Sequence, residues 1–166
     1  YIANGTVENC KVVGGNIVAS SVSDSLGGIV GYATDVVISD CTVENATISS
    51  KSQYVGGIVG QIKYTDGTNS ITNCTVKNSN IISTSSGVGG IVGYTYGNSS
   101  GVITVKLCSV TGGSVSASYY VGGIMGQSFY ADIIGCANYG ASVTATTSTG
   151  YAGGILGYYN YGKCYS

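Results

Sequence analysis

The stretch Gly27-Gly28-Ile29-Val30-Gly31 (GGIVG) recurs along the chain and decides its architecture. The four later copies are GGIVG at Gly56, GGIVG at Gly89, GGIMG at Gly122 and GGILG at Gly153. Successive copies are separated by 29, 33, 33 and 31 residues. This spacing predicts a repeat protein, because a unit of about 30 residues cannot bury its own apolar face and must stack on its neighbours.

Cysteines recur with the same period. They are Cys10, Cys41, Cys74, Cys108, Cys136 and Cys164. Two residues after the first four stands a valine: Val12, Val43, Val76 and Val110. Four residues after the first five stands a glycine or an asparagine: Gly14, Asn45, Asn78, Gly112 and Gly140. These two residue types enter the left-handed backbone region most readily, so the pattern predicts a corner there.

A second strand is predicted after this corner. Seven residues after each of the first five cysteines stands a β-branched residue: Ile17, Ile48, Ile81, Val115 and Val143. A small residue follows two positions later, which is the period of a strand. After a loop of variable length, we expect the GGIVG segment to form a third strand.

The predicted fold is therefore all-β: a parallel β-solenoid, or β-helix, of about five turns with three short strands per turn. We place the turns at about 1–31, 32–64, 65–98, 99–128 and 129–166, as one repeat domain. Kelch propellers also carry double glycines, but their repeats run near 50 residues with four strands. The absence of proline agrees with a solenoid, because internal strands must donate hydrogen bonds.

Composition excludes several classes of function. Of 166 residues 43% are hydrophobic and 8% are charged, and the net charge is -1, so no basic stripe exists to bind nucleic acid. No run approaches the ~18 consecutive apolar residues of a spanning helix, and we expect no membrane insertion. With no histidine the commonest general base is missing, so we expect no enzyme, no catalytic residue and no cofactor.

Five copies in phase resemble the GLUG motif, a glycine, hydrophobic, glycine repeat of large bacterial surface proteins, including the repeat regions of some secreted IgA-directed peptidases. The resemblance covers almost the whole chain, at Gly28–Gly31, Gly57–Gly60, Gly90–Gly93, Gly123–Gly126 and Gly154–Gly157. It implies an extracellular or cell-surface repeat region that serves as a stalk or an adhesive. It implies no catalytic residue, since enzymatic activity in such proteins lies in other domains.

The cysteines allow two interpretations. Their even number fits a secreted disulfide framework pairing Cys10 with Cys41, Cys74 with Cys108 and Cys136 with Cys164. A parallel ladder would instead hold stacked Cβ atoms ~4.8 Å apart, where a disulfide prefers ~3.8 Å. We favour a structural row of reduced cysteines and predict no metal site. A calcium site using Asp35, Asp40 and Asp66 is the alternative for the scattered acids.

Surface function must come from outward-facing rows. Directly after each glycine segment comes an alternating column of tyrosine and glutamine: Tyr32, Gln61, Tyr94, Gln127 and Tyr158. The column either stabilises the stack as a side-chain ladder or forms an exposed strip that binds a glycan or a host surface protein.

We therefore expect an extracellular structural repeat of an adhesin, stalk or filament. We also expect both chain ends to lack caps. The partner of this repeat region is then another copy of the same chain, stacked head to tail, or flanking repeats of the same chain. A carbohydrate- or host-protein-binding module is the alternative.

Overall fold

The computed structural model describes residues 1–20 and 25–166, and all regular secondary structure in those ranges is β-strand. The strands are β1 (Ile2–Glu8), β2 (Lys11–Val13), β3 (Asn16–Ala19), β4 (Leu26–Gly27), β5 (Val30–Ser39), β6 (Thr42–Glu44), β7 (Thr47–Ser50), β8 (Val55–Gly56), β9 (Val59–Lys63), β10 (Ser70–Thr72), β11 (Thr75–Ser83), β12 (Val88–Gly89), β13 (Val92–Tyr96), β14 (Ile103–Lys106), β15 (Ser109–Ala117), β16 (Tyr120–Gly122), β17 (Met125–Ile134), β18 (Ala137–Tyr139), β19 (Ser142–Ala145), β20 (Tyr151–Gly153) and β21 (Leu156–Tyr165).

Three parallel sheets run along the molecule. The successive levels of sheet A are β1, then β5, then the pair β9 and β10, then the pair β13 and β14, then β17, and last β21. Sheet B stacks β2 with β3, β6 with β7, β11, β15, and β18 with β19. Sheet C stacks the short strands β4, β8, β12, β16 and β20. Each coil passes through A, B and C in turn, so the prediction of a β-solenoid with about five turns is confirmed.

The core fills the space between the three sheets. Its columns hold β-branched residues at equivalent positions of successive coils. Fully buried examples are Ile38, Ile71 and Val105 from sheet A, Val43, Val76, Ile48 and Ile81 from sheet B, and Val55 and Val88 from sheet C. Identical or closely similar residues stack at these levels, because the register between coils places each repeat position on its counterpart.

The glycine segment differs from its predicted role as a strand. The strand of sheet C ends at the first glycine, Gly27, and sheet A begins at Val30, so Gly28 and Ile29 form the corner between them. The third strand therefore lies just before GGIVG. Glycines recur at this corner because backbone packs against backbone there: a Cβ on Gly57 would overlap the carbonyl oxygen of Gly90 in the next coil.

The left-handed conformation predicted four residues after each cysteine is present. Gly14, Asn45, Asn78, Gly112 and Gly140 have φ between 46° and 77°. This left-handed residue bends the chain within sheet B and does not end the sheet, since β11 runs through Asn78 without a break. The corner between sheets A and B lies elsewhere, at the residue before each of the first five cysteines. There Asn9, Asp40, Asn73, Leu107 and Gly135 have φ between 53° and 59°.

Leu107 is the one member of this second group that is neither glycine, asparagine nor aspartate, and its side chain is 54% exposed. Left-handed φ costs about 1–2 kcal/mol for a residue with an ordinary Cβ and less for asparagine. We expect Leu107→Asn to raise the free energy of unfolding by about 1 kcal/mol, measured by urea unfolding followed by far-UV circular dichroism.

Val102→Asn is the matched control for this variant. Val102 is also an exposed apolar residue, at 43%, but it does not have positive φ. A Leu107→Asn protein no more stable than the Val102→Asn protein would contradict the strain argument.

Candidate functional site

The tyrosine and glutamine column lies on sheet A. Tyr32 pairs with Gln61, Gln61 with Tyr94, Tyr94 with Gln127, and Gln127 with Tyr158, so the five positions stack in register. Tyr1 precedes the pair Ile2 and Ala33 and stacks on Tyr32 with ring centroids 5.3 Å apart. Exposure varies along the column, since Tyr94 is only 8% exposed and the other four predicted residues are half-buried. The column is therefore not a uniformly exposed strip.

A second column, which the sequence analysis missed, runs beside the first along the edge of sheet C. It consists of the residue two positions before each double glycine: Ser25, Tyr54, Gly87, Tyr120 and Tyr151. Register pairs of sheet C place these five at equivalent levels of successive coils. The sequence signal is the fixed distance from the glycine pair, but it is hidden because the residue type varies, with tyrosine in three coils and serine or glycine in the other two.

The two columns interlock. Tyr54 stacks on Tyr94 with ring centroids 4.3 Å apart and planes 16° apart, and Tyr120 lies 5.0 Å from Tyr158. Space for the Tyr54 ring comes from Gly87, where a Cβ would approach Tyr54 Cδ1 to 2.7 Å. Burial, followed by the neighbouring Tyr54 hydroxyl, raises the pKa of Tyr94 to about 12. Tyr94 is therefore packed against its neighbours and leaves little of its ring exposed.

An open cleft of about 480 Å³ lies where the aromatic packing is interrupted. Ser25, Tyr32, Tyr54 and Gln61 line it. Ser25 Oγ donates a hydrogen bond to Gln61 Oε1 at 3.0 Å, which fixes the amide orientation and turns Nε2 away from that bond. The cleft thus combines two aromatic rings with two neutral polar groups.

The cysteine row is placed in part as predicted. Cys41, Cys74 and Cys108 are buried, Cys136 is half-buried, and Cys10 and Cys164 are exposed. Cys164 belongs to another column, because β21 pairs it with Ile133 of sheet A. The last turn is longer than the turn before it. Cys108 and Cys136 are 28 residues apart and their turn pairs residues 28 apart, as Ser109 with Ala137, whereas the last turn pairs residues 31 apart, as Ile133 with Cys164. Cys164 follows Cys136 by only 28 residues, so it does not reach the level of the cysteine row.

All six cysteines lie in described residues and are free thiols in the structure. The buried ones donate to backbone carbonyls, as Cys41 Sγ does to Ser39 O at 3.1 Å. Burial raises the pKa of the Cys41 thiol to about 11. A hydrogen bond shared with Cys108 lowers the pKa of Cys136. The row behaves as small apolar core residues that also satisfy carbonyl groups at the corner.

Asp35, named above for a calcium site, is engaged elsewhere. Its carboxylate is 6% exposed and holds the loop 64–69: Thr65 N donates to Oδ1 at 3.0 Å, Asn69 Nδ2 donates to Oδ1 at 2.9 Å, and Thr65 Oγ1 donates to Oδ2. Asp40 instead accepts from Asn73 Nδ2 at 2.6 Å. Across residues 1–20 and 25–166, no group of three or more acidic or cysteine side chains is arranged to hold a metal ion.

Comparison with protein families gives one match: the model of the GLUG motif matches residues 23–49. This segment contains the first glycine corner and most of the second coil. The resemblance to a GLUG-motif repeat region is confirmed for that segment, and the four later glycine corners repeat it in register. No curated protein and no solved structure matches the chain.

Proposed function

We propose that the chain is an extracellular structural repeat of a cell-surface adhesin, stalk or self-assembling filament, in which coils stack edge to edge. One observation carries this proposal: every coil pairs with the next in the same register, so the upper edge of any coil is complementary to the lower edge of any other. The first glycine of each GGIVG segment shows this register, because it pairs with the first glycine of the next segment: Gly27 with Gly56, Gly56 with Gly89, Gly89 with Gly122, and Gly122 with Gly153.

An extracellular location is supported by the GLUG motif match, because the motif resembles repeats of bacterial surface proteins. In the described part of the chain, no helix has the length and apolar character needed to cross a membrane. The proposal assigns no catalysis, since the chain has no histidine and the buried acid Asp35 is committed to a loop. The partners it requires are more coils of the same kind, from flanking repeats or from another copy of the chain.

Gly154→Ala tests edge-to-edge stacking. A Cβ on the equivalent glycine of each inner coil would overlap a carbonyl oxygen of the following coil, whereas a Cβ on Gly154 meets no atom within 4 Å. The variant should therefore fold normally, but the added Cβ should prevent a further coil from stacking on that edge. We expect fibres of the unmodified chain by electron microscopy, with a coil rise of ~4.8 Å, and dispersed particles of Gly154→Ala.

Gly140→Ala is not a suitable control, because Gly140 has φ of 77° and alanine would be strained there. Ser142→Ala on sheet B serves better, since it changes an exposed side chain and no backbone contact. If the unmodified chain and Gly154→Ala sediment alike as single particles at every concentration, self-stacking is wrong.

A carbohydrate- or host-protein-binding module is the second candidate. The observation that favours it is the cleft between Tyr32 and Tyr54, because clefts of this size with a few convergent polar groups are where small ligands bind.

A further inference from the structure

We propose that the cleft lined by Ser25, Tyr32, Tyr54 and Gln61 is a binding subsite for one neutral pyranose unit of a glycan. The inference rests on the second candidate function and specifies its ligand and its residues. It does not depend on edge-to-edge stacking.

The walls of the cleft are two tyrosine rings that are each supported from behind. Tyr32 stacks on Tyr1 at 5.3 Å, and Tyr54 stacks on Tyr94 at 4.3 Å. Both rings also line the cleft. Support on one side holds each ring in place before a ligand arrives, which reduces the entropy lost on binding.

Ring faces of this kind suit the apolar face of a pyranose. The face of a tyrosine ring carries partial negative charge. The C–H groups on one face of a pyranose carry partial positive charge, so the two surfaces attract. A ligand lying between the walls would extend the interrupted column of rings. The volume of about 480 Å³ falls in the usual range for small-molecule sites, roughly 300–1,000 Å³.

The polar residues of the cleft favour a sugar over a purely aromatic ligand. Gln61 Oε1 accepts from Ser25 Oγ at 3.0 Å, and within the described residues Gln61 Nε2 has no hydrogen-bond partner. Nε2 can therefore donate to a sugar hydroxyl without breaking an internal bond. The hydroxyl oxygen of Ser25 can accept a hydrogen bond in return.

The cleft also favours a neutral sugar over a charged one. None of the four lining side chains carries a charge at neutral pH. A sulfated, phosphorylated or uronic sugar would have to lose water around its anion with no cation among these residues to replace it. Neutral hexose or N-acetylhexosamine units fit the chemistry best.

The experiment is titration of the full chain with four neutral probes: cellotetraose, chitotetraose, maltotetraose and mannotetraose. Calorimetry measures affinity, and saturation-transfer NMR identifies the sugar protons in contact with the protein. We expect at least one probe to bind with a dissociation constant in the micromolar to millimolar range. Saturation should be greatest on the ring C–H protons of one face.

Variants then locate the site. Gln61→Leu keeps the side-chain size and removes the amide, and Tyr32→Ala removes one wall, so each should weaken binding at least tenfold. Gln127→Leu is the matched control, because Gln127 occupies the same column two coils away and lies outside the cleft. Tyr139→Ala, at a tyrosine that is 63% exposed on sheet B, controls for loss of any surface tyrosine.

Each outcome is decisive. Binding that is lost in Gln61→Leu and kept in Gln127→Leu supports the subsite. Saturable sugar binding that survives both Gln61→Leu and Tyr32→Ala overturns the subsite while leaving a binding module elsewhere on the chain. Absence of binding by all four probes overturns the subsite and its carbohydrate function together. Phenol is titrated as an aromatic control probe. Binding of phenol without binding of any sugar also overturns the subsite, because the cleft would then be selective for aromatic rings.

Discussion

Replacing Gly90 with alanine is expected to lower the free energy of unfolding by at least about 3 kcal/mol, at the upper end of what overpacking costs. A Cβ at this position would overlap the carbonyl oxygen of Gly123 and would lie 2.6 Å from Val110 Cγ2. Both belong to the buried interior of the stack, and the first is backbone of the next coil. Relief requires the coils to separate, which breaks ladder hydrogen bonds such as Gly90 N to Gly122 O, at 3.1 Å.

Gly154→Ala is the matched control for this prediction, in solutions dilute enough that the chains are not assembled. It makes the same change at the same repeat position, but no atom of the chain lies within 4 Å of the added Cβ. We expect the free energy of unfolding of the unassembled chain to change by less than about 0.5 kcal/mol. The measurement is urea unfolding of both variants, followed by far-UV circular dichroism and by tyrosine fluorescence. If the Gly90 variant unfolds at the same urea concentration as the Gly154 variant, close coil-to-coil packing is not what requires glycine there.

The stacking could be predicted from the sequence because it depends on features that repeat. The five glycine segments indicate the number of coils. The fixed distances from the cysteine, as from Cys41 to Asn45 and to Ile48, indicate a left-handed residue and a strand in each coil. Glycine and asparagine are the two residue types that enter the left-handed region most readily, so finding only these two at one repeat position indicates that conformation. These features are local, so they survive the differences in loop length between coils.

The features that could not be predicted depend on contacts between coils or on the three-dimensional path of the loops. GGIVG was expected to form the third strand of each turn, but Gly28 packs against backbone and allows a corner instead. Cys136 and Cys164 are 28 residues apart, like Cys108 and Cys136, yet the last turn pairs residues 31 apart where the turn before it pairs residues 28 apart, so Cys164 leaves the row. Tyr54 and Gln61 come together only because two sheets meet at one edge.

The chemistry of the candidate cleft was accordingly predicted in part. Tyr32 and Gln61 were selected as members of a column that repeats once per coil. Ser25 and Tyr54 were not, because the mixture of tyrosine, serine and glycine at that position of sheet C has no meaning until the column is set beside the one on sheet A. In four of the five coils, a tyrosine in one column lies level with serine, glycine or glutamine in the other. This arrangement depends on packing between the columns and is not a local preference.

Asp35→Asn is expected to lower the free energy of unfolding by about 2 kcal/mol at pH 7, the usual contribution of a hydrogen bond to a charged group. The carboxylate accepts from Thr65 N at Oδ1, at 3.0 Å, and from Thr65 Oγ1 at Oδ2. Asparagine keeps one oxygen, but its amide nitrogen cannot accept the hydrogen bond made at the other position. Asparagine tolerates the left-handed φ of 52° at this position, so the backbone should not contribute. The exposed Asp40, with φ of 55°, gives the matched control Asp40→Asn, which should change stability by less than about 0.5 kcal/mol.

The pH dependence of the free energy of unfolding distinguishes an effect of the Asp35 charge from an effect of the shape of its side chain. Burial by itself raises the pKa of Asp35, but hydrogen bonds from Thr65, Asn69, Gly67 and Asp66 outweigh it and hold the pKa below its usual value. A carboxyl whose pKa is lowered by folding stabilises the folded state fully above its unfolded pKa, about 3.9. That stabilisation is lost as pH falls through the lower folded pKa. The gap between the unmodified chain and Asp35→Asn should therefore be constant from pH 7 to about 5 and shrink below about 4. A gap of equal size at pH 7 and pH 2 would show that the loop 64–69 is held by the shape of the side chain and not by its charge.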